Sequence, residues 1–318
     1  MVAAARGALV GRQRDIEVVA AALASGRSVL LEGPPGTGKT TLLRALAAGA
    51  GVGLVLVEGN AELSPARLVG HHAPSRVLTE GYRSDTFEPG PLLQAMTTGS
   101  LLYVEELNRV PEETLNVLLG VLSERRAQVP RFGEVVASPT FRMVAAMNPY
   151  DAVGTGRITP ALYDRTCRVG IGYQSETEER DIVAGRADGP AALVRRAVRA
   201  VRLSRSHPDL RIGSSVRGAI DVVAVAVELA ALRAVAAPGP GVPAGAEWAE
   251  VEIDAAVTAL SGRVTVREGC TRTPESIVEE IWQQAGEAAA QDVEADPDTG
   301  KAPGPEPRPA ARTGPGPR

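Results

Sequence analysis

Residues 28–41 read Ser-Val-Leu-Leu-Glu-Gly-Pro-Pro-Gly-Thr-Gly-Lys-Thr-Thr. The apolar run at the start of this stretch predicts a short buried strand, and a helical pattern follows the glycine-rich part. The loop between them fits the spacing G-x-x-x-x-G-K-[ST], in the strand-loop-helix context that this motif requires. The sequence therefore predicts a phosphate-binding loop that comprises Gly33, Pro34, Pro35, Gly36, Thr37, Gly38, Lys39, Thr40 and Thr41.

Each residue type in this loop has a chemical reason to be there. The glycines let backbone N–H groups turn inward around a β-phosphate. Lys39 offers a point charge to the β- and γ-phosphates, and the Thr40 hydroxyl is a ligand for Mg²⁺. The chain has only two lysines, Lys39 and Lys301, among 34 lysine and arginine residues. A lysine kept in a chain that otherwise uses arginine supports a phosphate-binding role over a chance Gly/Pro turn.

Two later apolar runs are followed by polar residues of the kind that nucleotide hydrolysis needs. The run at residues 101–104 ends in Glu105 and Glu106, of which the first is placed to hold Mg²⁺ and the second to polarise a water molecule. Asn148 follows a run at residues 141–146, and open α/β sheets place ligands at the carboxyl ends of strands. The alternatives are a surface acidic pair and an ordinary Asn-Pro turn.

The order of predicted elements indicates the fold class. Helical patterns, one of them at residues 112–124, lie between short apolar runs that have the length of buried strands, namely 28–31, 53–57, 101–104 and 141–146. This alternation continues to about residue 172 and is typical of an α/β sandwich with a parallel sheet.

The rest of the chain has a different character. Residues 173–290 have helical patterns without intervening strands, which predicts a second, smaller and all-helical domain after residues 1–172. Seven of the 24 prolines fall in the last 22 residues, where apolar anchors are nearly absent. We therefore expect residues 291–318 to be a disordered Pro/Gly-rich tail.

Composition narrows the classes of function. The net charge of -4, the pI of about 5.6 and the 3% aromatic content provide no general field or stacking surface for nucleic acid, so we expect no such partner. Two cysteines, Cys167 and Cys270, are too few for a disulfide framework. The absence of a signal-type or membrane-length apolar run predicts a cytoplasmic protein without membrane insertion.

The order of these motifs resembles the AAA+ ATPases, and within them the MoxR-type branch, from about residue 10 to about residue 290. Leu9-Val10-Gly11-Arg12 is similar to the family segment that packs against adenine, which implies that Val10 and Gly11 contact the nucleotide. Residues 62–70 and 87–92 look like the helix-insert region. Glu105-Glu106-Leu107-Asn108-Arg109 is similar to the Walker B stretch, and Met147-Asn148-Pro149 to sensor 1.

Two further segments resemble the family's arginine motifs. Leu162-Tyr163-Asp164-Arg165 is similar to the end of its ATPase domain, which implies that Arg165 is an arginine finger toward a neighbouring subunit. Arg168 is close by and is the alternative finger. Gly213-Ser214-Ser215-Val216-Arg217 resembles the segment that opens a lid helix, which implies that Arg217 is sensor 2.

The chain departs from the family pattern at three positions. Glu105 stands where an Asp is usual, so its carboxylate lies one methylene further from the backbone. Thr166 replaces the usual Phe after the finger, and Val216 replaces the usual Pro before Arg217. We still expect hydrolysis, since the loop and the second acidic residue are intact.

The resemblance implies a P-loop NTPase αβα sandwich with a parallel sheet, followed by an all-helical lid domain. It implies a ring, expected to be a hexamer, that uses ATP and Mg²⁺ to remodel or activate a protein client, such as one with a von Willebrand factor A domain. The alternatives are a gas-vesicle or carboxylase-activating AAA+ ATPase, a nucleotide-gated subunit of a DNA-directed motor, and a scaffold that does not hydrolyse nucleotide.

Two features lie between the motifs. His71 and His72 fall in a stretch, residues 70–83, that reads as a solvated loop, and no acidic cluster accompanies them as a metal site would require. In the family that this chain resembles, the segment corresponding to residues 128–139 is a hairpin that faces the pore of the ring. Arg131 and Phe132 are therefore candidate contacts for a client.

Overall fold

The structure is a computed structural model, and it describes residues 2–149, 159–239 and 245–295. The strands are β1 (Ser28–Glu32), β2 (Leu54–Glu58), β3 (Gly70–His72), β4 (Phe87–Pro89), β5 (Leu101–Glu105), β6 (Arg126–Val129), β7 (Gly133–Val136), β8 (Arg142–Met147), β9 (Thr166–Gly170), β10 (Leu210–Ile212) and β11 (Thr265–Val266). The helices are α1 (Val2–Ala8), α2 (Gln13–Ala24), α3 (Lys39–Ala50), α4 (Pro65–Val69), α5 (Pro74–Glu80), α6 (Pro91–Thr98), α7 (Glu112–Glu124), α8 (Pro160–Arg165), α9 (Glu176–Ala184), α10 (Ala191–Ser206), α11 (Val216–Arg233), α12 (Ala246–Leu260) and α13 (Pro274–Ala295).

The central sheet is parallel, and its strands within the described ranges run in the order β2-β5-β8-β1-β9. In β1, the central residues Val29, Leu30 and Leu31 are all inaccessible to solvent. Helices cover both faces of such a sheet, so its inner strands read as continuous apolar runs rather than as alternating ones. This is why the sequence located β1, β5 and β8 within one or two residues; β2 was located equally well, although it is an edge strand that buries only Val57, because its sequence is also an apolar run.

Alternate residues of each strand enter two separate cores. Val29 and Tyr103 pack on the face that α2 and α3 cover, in a cluster with buried apolar residues of those helices. Leu30 and Leu102 pack on the opposite face, with residues of α6 and α7. The result is the predicted three-layer αβα sandwich with a parallel sheet.

Helices α9 to α13 form the C-terminal part of the fold around a core of their own. Trp248, Trp282 and the small and branched residues of α10 and α11 are buried together there. The expectation of helices without strands is incomplete, because β10 and β11 form a short antiparallel ladder. Helix α13 continues to Ala295, beyond the predicted start of the tail at residue 291, and residues 296–318 lie outside the described residues.

Further elements, among them β9, β3 and α5, were not predicted. Strand β9 pairs with β1 at the edge of the sheet, and only Val169 of its five residues is buried, so the sequence shows no apolar run there. Residues 70–83 are not a simple loop, since they contain strand β3 and helix α5. His71 and His72 pair with Glu88 and Phe87 of β4.

Candidate nucleotide-binding site

The phosphate-binding loop joins the carboxyl end of β1 to the first turn of α3. Gly38 precedes the helix in the left-handed region (φ +82°), which is freely available only to glycine. The loop is also packed closely, because a Cβ atom added to Gly33 would lie 2.0 Å from the carbonyl oxygen of Ile171. The N–H groups of the first turn of α3 thus face the loop, as an anion-binding helix N-terminus requires.

The Lys39 side chain is hydrogen-bonded to the backbone of its own loop. Its Nζ donates to the carbonyl oxygens of Gly33 and Pro34, at 2.9 Å each. Burial lowers the pKa of Lys39 to about 8; nearby Glu105 raises that pKa in part, and Arg12 and Arg217 lower it further. Burial thus makes the charged form of Lys39 less favourable than usual, and a phosphate beside the ammonium would raise its pKa again.

The two predicted metal ligands are in direct contact. The Thr40 hydroxyl donates to Oε1 of Glu105, and the Tyr103 hydroxyl lies 3.5 Å from the same Thr40 oxygen. Burial raises the pKa of Tyr103, so this hydroxyl stays protonated. The longer Glu105 side chain thus reaches the Thr40 hydroxyl.

A hydroxyl and a carboxylate oxygen fit Mg²⁺, which prefers hard oxygen ligands and keeps several from water or substrate phosphates. Within the described parts of the chain, no group of three or more His, Cys, Asp or Glu residues is arranged to hold a metal ion. A protein cage for a metal is therefore not formed there. Thr40 and Glu105 instead provide the partial ligand set that a nucleotide would complete.

The second acidic residue lies at a bend after β5. Glu106 adopts a left-handed conformation (φ +48°, ψ +44°), which is uncommon outside glycine and is found at functional sites. Its carboxylate forms an ion pair with Arg109 (3.0 Å), and about half of the Glu106 side chain is exposed. The bend separates the two carboxylates, so that Glu105 faces Thr40 while Glu106 faces the open cavity.

One cavity of about 130 Å³ is lined by residues from four separate segments of the sequence. Its lining includes Pro35, Gly36, Thr37, Gly38, Lys39 and Thr40 of the predicted loop, together with Tyr103, Glu105, Glu106, Asn148 and Arg217. The structure therefore brings together the predicted phosphate loop, metal ligands, general base, sensor 1 and sensor 2. We call this space the phosphate cavity.

A second cavity of about 410 Å³ adjoins it, and Gly36, Gly38 and Arg217 line both. Val10 and Thr41 line this second space, as do side chains of α9 and α11. Gly11, the other predicted contact, does not line either cavity; it packs against Glu178, whose carboxylate an added Cβ would meet. Its size and its position beyond the phosphate loop suit a nucleoside, and we call it the nucleoside cavity.

Arg217 is in place despite the substitution before it. Val216 is buried and lines the nucleoside cavity, so α11 begins at the expected position without a proline. Arg217 lies in the first turn of that helix and reaches the phosphate cavity. The helical C-terminal part thereby contributes a cation to a site that is built mainly on the sheet.

Neither candidate finger lines these two cavities. The Nε atom of Arg165 donates to the Ser123 hydroxyl (2.5 Å), and one of its terminal nitrogens donates to the Ala161 carbonyl (2.9 Å). Arg168 instead forms an ion pair with Glu32 (2.5 Å). The Tyr163 hydroxyl donates to the same buried carboxylate at 2.8 Å.

Sequence reasoning missed three residues of this region. Glu32, Tyr103 and Arg12 were given no role, although Arg12 lies in the segment that resembles the adenine contact. A glutamate at the end of an apolar strand, directly before the loop, is the signal that would have pointed to Glu32. The position of Arg12 beside the glycine loop follows from the fold and carries no local sequence signal.

The two histidines have different surroundings: His72 is packed against aromatic rings, and His71 is exposed to solvent. The ring of His72 lies edge-on to those of Tyr82 and Phe87, with centroids 5.1 and 5.2 Å apart, and its Nδ1 is 3.1 Å from the Thr86 hydroxyl. The His71 side chain is exposed. Adjacent residues of a strand point to opposite faces, which is why the two imidazoles cannot share a metal.

Comparison with known proteins agrees with this geometry. Residues 28–166 match the AAA domain (dynein-related subfamily). Curated relatives include an uncharacterized protein of Staphylococcus haemolyticus, 33% identical over 159 residues that cover 49% of this chain and 60% of the relative. A second, from Staphylococcus aureus, is 36% identical over 149 residues, covering 46% of this chain and 56% of the relative. The chain thus spans less than two thirds of the length of these relatives.

Among solved structures, a variant of Thermotoga maritima RuvB has a TM-score of 0.50, with 14% identity, and the match covers 78% of this chain and 69% of that one. At this identity the likeness concerns the fold. Among the described residues, no helix is long and apolar enough to cross a membrane. Residues 28–166 are thus similar to AAA domains in sequence, and the parallel sheet with its phosphate loop gives this part of the chain the P-loop NTPase fold.

Proposed function

We propose that this chain is a Mg²⁺-dependent ATPase that works as a ring, with six subunits by its resemblance to the MoxR branch. The observation that carries this proposal is the phosphate cavity, where Lys39, Thr40, Glu105, Glu106 and Asn148 meet. A nucleotide-binding scaffold would need the loop but would have no use for a second carboxylate and an amide across from it. The arrangement therefore favours hydrolysis over binding alone.

Each residue has a distinct task in this proposal. Lys39 and the loop amides bind the β- and γ-phosphates, and Thr40 and Glu105 hold Mg²⁺, which neutralises charge on those phosphates. Glu106 accepts a proton from the attacking water, and Asn148 orients that water against the γ-phosphate. Arg217 adds a positive charge from the helical lid, so that lid position and phosphate binding depend on each other.

The finger is proposed to act between subunits. Arg165 does not line its own phosphate cavity; it donates to the Ser123 hydroxyl of α7 and to the Ala161 carbonyl of α8, and about a third of its side chain is exposed. A guanidinium that reaches the γ-phosphate from another chain makes hydrolysis depend on assembly. We therefore assign the finger role to Arg165 in preference to Arg168, whose guanidinium is held by Glu32.

The energy of hydrolysis is proposed to remodel a protein client. Strands β6 and β7 form the expected hairpin, and its turn carries Arg131 and Phe132. Phe132 stacks on Phe87 with centroids 4.5 Å apart, and Arg131 lies 3.8 Å from the ring centre of Tyr82. These contacts join the hairpin to the segment around β4, and we propose that this joined surface contacts the client. A protein with a von Willebrand factor A domain is the candidate client.

The test is the dependence of ATP hydrolysis on protein concentration. We expect specific activity to rise steeply as subunits assemble, and to be lost in Glu106→Gln while ATP binding is retained. Stimulation by DNA with a steep salt dependence would move the assignment to a DNA-directed motor. Tight ATP binding without turnover at every concentration would contradict the proposal and indicate a scaffold.

A further inference from the structure

Arg12 has a backbone conformation that a side chain seldom adopts. It precedes α2 with φ +59° and ψ +24°, directly after Gly11, which is also left-handed (φ +68°). A non-glycine residue in this region persists only where surrounding contacts hold it, and such residues cluster at ligand sites. The conformation of Arg12 is therefore expected to depend on the contacts of its side chain.

The guanidinium of Arg12 is almost completely buried, with 5% of the side chain exposed. One terminal nitrogen donates to the Asp15 carboxylate (2.8 Å), and the other donates to the carbonyl oxygen of Gly172 (2.7 Å). The third donor, Nε, is buried and has no hydrogen-bond partner among the described residues. A buried N–H of a charged group is costly without an acceptor, so this donor points to a ligand.

The surroundings of Arg12 identify the chemistry of that ligand. Arg12 lines the nucleoside cavity, and a methyl group added at Gly38 would lie 4.0 Å from its Nε. Gly38 is the last loop residue before α3, where backbone N–H groups gather anionic oxygens. Arg12 is also close enough to Lys39 to lower the pKa of that lysine. An oxygen that carries negative charge would satisfy both cations.

We propose that Arg12 is a nucleotide-contacting residue, whose Nε donates to a phosphate oxygen of the bound nucleotide at the point where the phosphate and nucleoside cavities join. This inference rests on the proposed function, because it places the same nucleotide in the same site. It adds Arg12 to the site as a third cation. Unlike Lys39 and Arg217, Arg12 belongs neither to the phosphate loop nor to the lid.

The same side chain connects the nucleotide to the start of the lid. Gly172, which accepts from Arg12, lies between β9 and α9. Nearby, the Gln174 side chain donates to the Val10 carbonyl (3.1 Å), and Gly11 is packed against Glu178. Arg12 therefore holds the phosphate end of the nucleotide and the connection to the lid at once.

The experiment measures the dissociation constant of ADP by calorimetry on the full chain. Arg12→Ala should weaken ADP binding about 10- to 100-fold, the effect of losing a hydrogen bond to a charged group. Arg12→Lys keeps the charge but not the Nε donor, so a smaller but clear loss is expected. Arg14→Ala is the matched control, since Arg14 is the neighbouring exposed arginine, and it should bind ADP as the wild type does.

A second variant distinguishes a structural role of Arg12 from a nucleotide-binding role. Asp15→Asn weakens the ion pair that anchors the guanidinium but leaves Nε in place, so it should lower the melting temperature while ADP affinity changes at most about threefold. Equal ADP affinities in Arg12→Ala and Asp15→Asn would overturn the inference. A wild-type chain that binds no ADP, or a Lys39→Ala variant that binds it normally, would instead overturn the nucleotide site itself.

Discussion

The hydroxyl of Thr40 donates a hydrogen bond to the carboxylate of Glu105, across the gap between the first turn of α3 and the end of β5. This contact joins the two proposed metal ligands. The Glu105 carboxylate, which lies one methylene further from the backbone than the aspartate usual in the family that the chain resembles, thus reaches the Thr40 hydroxyl.

We expect Glu105→Ala to raise the Mg²⁺ concentration needed for half-maximal ATP hydrolysis by at least about tenfold, since one of two protein ligands is lost. Glu105→Asp should raise that concentration by a smaller factor than Glu105→Ala, because it keeps a carboxylate but withdraws it by one methylene from the Thr40 hydroxyl. The measurement is a Mg²⁺ titration of ATPase activity at saturating ATP. Glu113→Ala, at an exposed helix position, is the control, and an equal shift in that variant would refute a local effect.

The lowered pKa of Lys39 predicts a pH dependence of nucleotide binding. Below about pH 8 the ammonium is already charged, and binding takes up no proton at this group. Above that pH the amine must gain a proton to pair with phosphate, so ADP affinity should fall by up to about tenfold per pH unit. Calorimetry between pH 7 and pH 10, in buffers with different ionisation enthalpies, measures both affinity and proton uptake.

Lys39→Met is the control for this titration. It should bind ADP more weakly and without the proton uptake, and equal proton uptake in wild type and Lys39→Met would show that the uptake does not come from Lys39.

The same pKa predicts how folding stability depends on pH. In the chain without nucleotide, the folded state binds fewer protons than the unfolded state between about pH 8 and the ordinary lysine pKa of 10.5, so Lys39 makes the free energy of unfolding rise over that window.

The two candidate finger arginines are distinguished by what each one holds. Arg168 pairs with Glu32, whose side chain is only 4% exposed, and its removal leaves that carboxylate with Tyr163 as its remaining described donor. We expect Arg168→Ala to lower the free energy of unfolding by about 1.5 kcal/mol, the low end for a bond to a charged group, because the arginine itself is 62% exposed.

Arg165→Ala should give the opposite result, a loss of hydrolysis of about 10³-fold or more with little change in stability. Urea unfolding and ATPase assays on both variants make the comparison. If Arg168→Ala loses hydrolysis and Arg165→Ala retains it, the finger assignment is reversed.

A buried glutamate stabilises the helical part. Glu179, with 1% of its side chain exposed, accepts from Arg202 (3.1 Å) and Arg205 (2.7 Å), and Arg205 also lies 3.7 Å from the ring centre of Tyr173. Glu179→Ala would remove the carboxylate that the two guanidinium groups share, leaving Arg202 with Glu176 and Arg205 with the Ser214 carbonyl, and we expect it to destabilise the fold by about 3 kcal/mol. The midpoint of urea unfolding measures this, with exposed Glu247→Ala as the control. A change below about 0.5 kcal/mol would show that the arginines find other partners.

The sequence predicts the core of this fold well for a physical reason. The inner strands are buried on both faces, so each is an unbroken apolar run, and the phosphate loop has fixed chemistry at fixed spacing. Strand β9 lacks that signal because it lies at the sheet edge and buries only Val169. The short pair β10 and β11 is too brief to show alternation.

The site was predictable where a motif is local and not where the fold alone creates it. Glu106 and Asn148 follow apolar runs, so their meeting at one sheet edge could be inferred. Arg12 faces Gly38 only because its segment packs beside the loop and against Gly172, which is 160 positions further along the chain. A contact between residues so far apart in the sequence cannot be predicted from the spacing of residues in a local motif.

The most direct test of the account mixes two inactive variants. Arg165→Ala keeps a complete phosphate cavity but offers no finger, whereas Glu106→Gln offers a finger but has no base. In a mixed ring, a Glu106→Gln subunit supplies Arg165 to an intact cavity on its neighbour, so ATP hydrolysis should reappear well above the sum of the separate variants. A mixture that assembles into rings and binds ATP, yet hydrolyses no more than that sum, would contradict a cavity completed by the adjacent subunit.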